Sequence, residues 1–243
     1  MSEQTLSGGE TLGLVRVGDT VRRPAHATGP YTREVLLHLE RAGFAGSPRF
    51  LGTDEHDREI LTFLPGEAIP DAARLADAQI ASAARLIRAF HDATAGTPVA
   101  GDGEVVCHGD LGPHNTVFAG GEAVGLIDWD DTLAPGTRLS DLGHAVWCFA
   151  AVAEPLFDLD EQARRVALFC AAYGWDDPAA VVDELGARFR RARDDHHAAG
   201  RVAAEAVFAD LCSWMDSRGP ALKSLLPQAG AVVRPAGNSR STP

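Results

Sequence analysis

Three side chains between residues 108 and 128 have the types and the spacing to act together. Asp110 follows His108 and Gly109, Asn115 stands at the end of the same polar loop, and Asp128 closes the apolar run Val124-Gly125-Leu126-Ile127. A carboxylate that can face a hydroxyl, with an amide and a second carboxylate as oxygen donors, is the inventory that phosphoryl transfer asks of a protein. That reaction needs positioning and charge neutralisation more than covalent help. Magnesium suits two such donors because it keeps part of its water shell and shares the rest of its coordination with phosphate. Asp130 is a candidate for a further ligand or a supporting contact. Asp, Asn, Gly and Pro also favour ordinary turns, so the spacing carries weight only in the right strand and loop context.

The surrounding pattern supplies that context. Residues 105 to 128 read as strand, loop, strand, a Gly120-Gly121 turn and a last strand, a hairpin that brings Asp128 back beside Asn115. Before it, residues 12 to 17 and 20 to 23 are β-like runs joined at Gly18-Asp19, and Pro24 ends the second. Residues 31 to 42 carry Val35, Leu36 and Leu39 at helical spacing, with Gly43 placed to end a helix. Two more strands, 49 to 52 and 59 to 64, flank the polar turn Asp54-Glu55-His56-Asp57. Pro65-Gly66 then breaks regular structure and marks a lobe boundary.

Beyond that boundary, residues 75 to 93 form a helix with Ala76, Ile80, Ala83, Ile87 and Phe90 on one stripe. Later helices are predicted at 139 to 153, at 161 to 173 and in a long region from 178 towards 217, which Asp177-Pro178 opens. The tail from 227 to 243 is rich in Pro, Gly and Ser and is expected to be disordered. The expected fold class is α+β in two lobes. Residues 1 to 64 form a short antiparallel sheet with one helix, residues 65 to 226 form a mainly helical lobe, and a cleft lies between them.

The run from 108 to 130, with Ile127-Asp128-Trp129-Asp130 and then Arg138-Leu139-Ser140-Asp141-Leu142, resembles the aminoglycoside phosphotransferase family. These kinase-like enzymes include kinases of macrolides, choline and homoserine. The resemblance implies a bilobal protein-kinase-like fold, ATP or GTP with Mg2+, and transfer of the γ-phosphoryl group to a hydroxyl. It implies Asp110 as the catalytic carboxylate, Asn115 and Asp128 as metal ligands, His108 as a support of the loop and Asp141 as a structural carboxylate.

In that family a strand cation grips the nucleotide phosphates and pairs with a helix glutamate. The only lysine of this chain is Lys223, near its end, so arginine must serve. Arg22 is the expected cation if Val21 faces the lobe interior, Arg23 if the register slips by one, and Glu34 is the expected partner. Arginine carries its charge on a larger planar head, so this exchange is not conservative. Thr62 and Phe63 are expected at the adenine-side edge and hinge. Ser7-Gly8-Gly9 is all that stands where a glycine-rich phosphate loop belongs.

Composition limits the partners. A formal charge of -12 argues against nucleic-acid binding and is compatible with a cationic substrate, for which Asp194, Asp195, Glu205 and Asp210 on the late helices are candidate lining residues. Charged helix faces are usually only solvated, and the same holds for His196-His197. Neither a membrane-crossing run nor a secretory start appears, so a cytoplasmic location without membrane association is expected. Cys107, Cys148, Cys170 and Cys212 show no C-x-x-C spacing and read as buried thiols. Zinc held by His108, His114 and Asp110 is disfavoured by the phosphoryl-transfer reading.

The expected function is transfer to a small hydroxylated molecule, for which the family suggests an aminoglycoside-type antibiotic. Two rivals are a kinase-like nucleotide-binding or immunity module without transfer activity, and a metal-dependent phosphohydrolase. Intact Asp110, Asn115 and Asp128 speak against the first and do not separate the second.

Overall fold

The computed structural model describes residues 4–5, 13–25, 28–129 and 132–228. Ser7, Gly8, Gly9, Asp130 and residues 229 to 243 of the expected tail lie outside the described residues. The first sheet has the order β1-β2-β3-β5-β4. β1 (Gln4–Thr5), β2 (Val15–Val17) and β3 (Thr20–Arg23) are antiparallel neighbours, and Gly18 makes the β2–β3 turn with a φ of 61°. Pro24 then ends the strand and α1 (Gly29–Arg41) follows, with Pro30 in its first turn and Val35, Leu36 and Leu39 buried beneath it. β4 (Phe50–Thr53) and β5 (Glu59–Thr62) complete the sheet, and the β3–β5 register sets Arg23 opposite Glu59.

The chain then leaves this sheet. β6 (Glu67–Ala68) pairs with β8 (Thr116–Ala119), which also pairs with β9 (Glu122–Leu126). Between them lie α2 (Asp77–Thr94) and β7 (Val105–Cys107). On α2, Ile80, Ala83, Ile87 and Phe90 are fully buried, while Ala76 caps the helix and is exposed. The β8–β9 turn uses Gly120 and Gly121 at φ 60° and 85°, a backbone conformation that glycine adopts without steric cost. β10 (Ala134–Gly136) pairs with β7 and leads into α3 (Arg138–Ala150).

α4 (Leu159–Tyr173), α5 (Pro178–Ala198) and α6 (Val202–Ser224) complete the larger lobe. Asp177 caps α5 by accepting a bond from the Ala180 amide, and Pro178 opens it. The long helical region expected from 178 towards 217 is two helices rather than one. Gly200, at φ 66°, turns the chain, and the Arg201 amide reaches back to the His196 carbonyl to close the end of α5. Helical periodicity continues on either side of this glycine, which is why the pattern alone did not divide it.

Phe90, Phe149, Phe169, Phe189 and Trp129 are the largest fully buried side chains, and they place the main core in the helical lobe beneath β7–β9. Cys107, Cys170 and Cys212 are buried free thiols, whereas Cys148 is only partly buried. Among the described residues no helix is long and apolar enough to cross a membrane.

Candidate active site

The loop after β7 is clamped from the helical lobe before any of its side chains can act. Asp141, in the first turn of α3, accepts the His108 amide on Oδ2 and the Gly109 amide on Oδ1, each at 2.9 Å. His91 Nε2 donates to the same carboxylate at 3.0 Å, and the Tyr173 hydroxyl meets the other ring nitrogen at 2.7 Å. Asp141 and His91 are both completely buried. Burial alone would raise the Asp141 pKa, but the His91 bond and charge and the Gly109 amide outweigh it and hold the carboxyl below its ordinary value.

The loop backbone is equally committed. Arg188 of α5 donates to the Gly109 carbonyl at 2.9 Å, and Thr132 Oγ1 donates to the His108 carbonyl at 2.8 Å. Gly109 itself sits at φ 79°, and a Cβ there would collide with the Thr132 carbonyl. Only glycine satisfies both conditions.

This clamp presents Asp110 with partners on both oxygens. His144 Nε2 donates to Oδ1 at 3.0 Å, Asn115 Nδ2 donates to Oδ2 at 2.9 Å, and His114 Nε2 lies 3.5 Å from Oδ2. Hydrogen bonding from His114 and then from His144 keeps the carboxyl far below the usual carboxylate range. His144 is pushed down by burial, so at neutral pH it acts on Asp110 as an uncharged N–H donor rather than as a cation.

Asn115 commits its amide nitrogen to Asp110, to the backbone carbonyl at 3.0 Å as well as to the carboxylate, and so leaves its oxygen as the end available to a cation. The Ile127 amide donates to the Asn115 carbonyl at 2.9 Å, which sets Asp128 next to it. His108 Nε2 donates to the Ile127 carbonyl at 2.9 Å, and Trp129 Nε1 to the Leu126 carbonyl at 2.6 Å, so both sides of Asp128 are fastened. Asp128 takes a φ of 65°, a left-handed conformation uncommon outside glycine and concentrated at functional sites. Among the described residues no group of three His, Cys, Asp or Glu side chains is placed to hold a metal. One amide oxygen and one carboxylate, on segments joined by the Ile127–Asn115 backbone bond, are a sparse, hard donor set, and they fit magnesium sharing its coordination with phosphate rather than an all-protein cage.

The small lobe reaches this site through Arg23. Its Nε and Nη2 donate to Glu59 Oε2 at 3.2 and 2.6 Å, and Nη1 donates across the lobes to the Trp129 carbonyl at 2.5 Å. Arg23 is only 4% exposed. Arg22 points to the other face, where Nη1 donates to Thr20 Oγ1 at 2.6 Å and Nε lies 3.7 Å from Asp54. Glu34 is exposed on α1 and joins neither arginine in the described ion pairs, because strand register places Glu59, not the helix, beside Arg23. Arg33 adds a second cation 3.6 Å from Glu59. The amides of Thr62 and Phe63 are donated within the lobe, to the Arg49 and Asp19 carbonyls, and Arg16 stacks over the Phe63 ring at 3.7 Å.

Sequence reasoning missed Glu59, His91 and His144. His91 carried a signal, being a polar residue one turn beyond Ile87 on the apolar stripe of α2. His144 carried another, since it follows Asp141 by three residues and so shares its helix face.

Residues 97–183 match the model of the phosphotransferase enzyme family APH. Over 185 residues the chain is 35% identical to the trifolitoxin immunity protein of Rhizobium leguminosarum bv. trifolii, covering 68% of this chain and 67% of that protein. The fold aligns with aminoglycoside 2'-phosphotransferase-IIIa in its GDP complex at a TM-score of 0.62 and 14% identity, over 90% of this chain and 93% of that one. It aligns with a choline/ethanolamine kinase family protein from Mesorhizobium loti at a TM-score of 0.54 and 16% identity, over 92% and 93% of the two chains. At such identities these two likenesses show the fold, a bilobal kinase-like α+β architecture. By its match to the family and its identity over two thirds of a full-length relative, the chain belongs to the APH phosphotransferase enzyme family.

Proposed function

We propose that this chain is an ATP- or GTP-dependent, magnesium-dependent O-phosphotransferase that moves the γ-phosphoryl group to a hydroxyl of a small molecule. The observation that carries the reading is Asp110, held ionised with one oxygen on His144 and the other on Asn115, whose backbone carbonyl in turn accepts the amide of Ile127, the residue before Asp128. Asp110 orients the acceptor hydroxyl and takes its proton late, as the new O–P bond forms and the bond to the β-phosphate breaks, releasing a nucleoside diphosphate. Asn115 and Asp128 would hold magnesium, which neutralises charge on the β- and γ-phosphates. Arg23, rather than Arg22, is the small-lobe cation of this reaction. It ties the backbone of the Asp128 loop to β3 and retains N–H donors for the nonreacting phosphates. We place the lobe boundary at Pro65-Gly66, between β5 and β6. The GDP complex of a protein with the same fold supports a nucleotide in the cleft.

A second reading, an immunity module that binds nucleotide without transferring phosphate, is favoured by the identity to the trifolitoxin immunity protein. Nucleotide consumption measured with and without magnesium and a panel of hydroxylated amines separates the two. The enzyme reading expects turnover that needs magnesium and acceptor and yields a phosphorylated product. Phosphate release indifferent to acceptor would instead make the chain a hydrolase, and binding without turnover an immunity module. In the same assay Arg23→Met raises the nucleotide KM about tenfold or more, whereas Arg22→Met changes it by no more than about twofold. Equal effects of the two would remove Arg23 from its assigned place.

A further inference from the structure

A cleft of about 540 Å³ opens beside the catalytic loop, bounded by Pro113 and His114 on one side, Trp147 and Cys148 of α3 on another, and Pro70, Asp71, Pro155 and Leu156 at its rim. Two of its walls touch the Asp110 constellation. His114 lies 3.5 Å from the Asp110 carboxylate, and Cys148 Sγ lies 3.7 Å from the His144 nitrogen that holds the other oxygen. A molecule seated here therefore touches the imidazole that adjoins Asp110.

The lining chemistry is selective. Trp147, Leu156 and the three prolines make the walls apolar, and Leu156 is 46% exposed. Asp71 and Glu154 are the charged groups of the lining, and no arginine or lysine joins them. Neither carboxylate forms an ion pair among the described residues. The Asp71 carboxylate accepts the Ala73 amide, and Arg165, which reaches the Ala72 carbonyl, is spent on Glu161. A volume of this size suits a drug-sized ligand, and exposed apolar area beside unpaired carboxylates is what an amphipathic cation covers.

We propose that this cleft is the acceptor site and that the acceptor is an amphipathic amino alcohol. Its apolar body packs on Trp147 and Leu156, its single ammonium faces Asp71 and Glu154, and its hydroxyl points past His114 to Asp110. This rests on the transferase reading above but goes beyond it, because a purely polar polycation would leave the apolar walls uncovered.

Calorimetric titration of the full chain, with no nucleotide turnover involved, tests the assignment. The probes are propranolol, its neutral diol counterpart in which a hydroxyl replaces the amine, and deoxystreptamine, which is cationic without an apolar body. Propranolol is expected to bind about fivefold tighter than either of the others. Asp71→Asn combined with Glu154→Gln should abolish its advantage over the diol, the asparagine keeping the cap on Ala73. Leu156→Asn should weaken propranolol and the diol together and leave deoxystreptamine unaffected.

Deoxystreptamine binding as tightly as propranolol, no binding of any probe, or propranolol affinity unchanged in these variants would overturn the proposal. Because binding is read apart from turnover, an inactive chain that shows the expected preferences would sink the transferase reading alone. Phosphorylation of deoxystreptamine without affinity for propranolol would sink only this one.

Discussion

Asp110→Asn lowers kcat for phosphoryl transfer by about 10²- to 10⁴-fold, while the nucleotide KM stays close to that of the unaltered chain and the unfolding midpoint falls without loss of folding, because a carboxylate held below its ordinary pKa stabilises the fold at neutral pH. The asparagine keeps the volume and can still accept the His144 N–H at Oδ1. Its NH2 group now faces Asn115 Nδ2, a donor, where Oδ2 had accepted a bond at 2.9 Å. The acceptor hydroxyl therefore loses both the base that takes its proton and the charge that orients it. Asp110 is held so far below the carboxylate range that it is a weak base, and its contribution lies in aiming the hydroxyl and receiving a proton only once O–P bond formation has acidified it. Steady-state rates with saturating nucleotide and acceptor check this, with denaturation curves to confirm folding. A kcat reduced less than about tenfold would show that no carboxylate at this position takes part in the chemistry.

What could be read beforehand followed the range of the interactions. The loop from 108 to 115, the glycine turn at 120 and 121 and the capped start of α5 depend on neighbours within a few residues, and their patterns were legible. The choice between Arg22 and Arg23 was not. β3 has only four residues, three of them partly buried, so alternation alone offers two registers. What separates them is Glu59, thirty-six positions away and opposite Arg23 in the neighbouring strand, together with the Trp129 carbonyl from the other lobe. Glu34 was attractive because it lies on the one helix of the small lobe, yet the apolar face of that helix turns Val35, Leu36 and Leu39 inward and leaves Glu34 in solvent. The two histidines near the loop were hidden for the same reason as Glu59. His91 and His144 meet Asp141 and Asp110 only after α2, α3 and the loop have packed, and no local period encodes that meeting.

Asp141→Ala is expected to cost about 3 to 5 kcal/mol of folding stability, more than a typical core truncation of that size, because it removes a buried carboxylate and leaves its hydrogen-bond donors unpaired. Three donors lose their acceptor at once: His91 Nε2 and the amides of His108 and Gly109. The first two cannot turn to water, since Asp141 and His91 are fully enclosed and His108 is 1% exposed, whereas the Gly109 amide is only partly buried. Asp141→Asn should be intermediate, its one oxygen accepting a single amide while its NH2 opposes the other.

The pH dependence supplies an independent signature. The folded chain holds Asp141 below its ordinary pKa, so the unfolded chain binds this proton more readily. The stabilisation is then complete above the ordinary carboxylate range and is lost as pH falls through about 4 towards the lower folded value. Denaturant midpoints between neutral and acid pH should converge for wild type and Asp141→Ala as pH drops, with the gap widest near pH 7. A gap within about 1 kcal/mol at pH 7 would mean that the carboxylate behaves like an exposed ion pair, and that the loop presenting Asp110 is held by Arg188 and Thr132 instead.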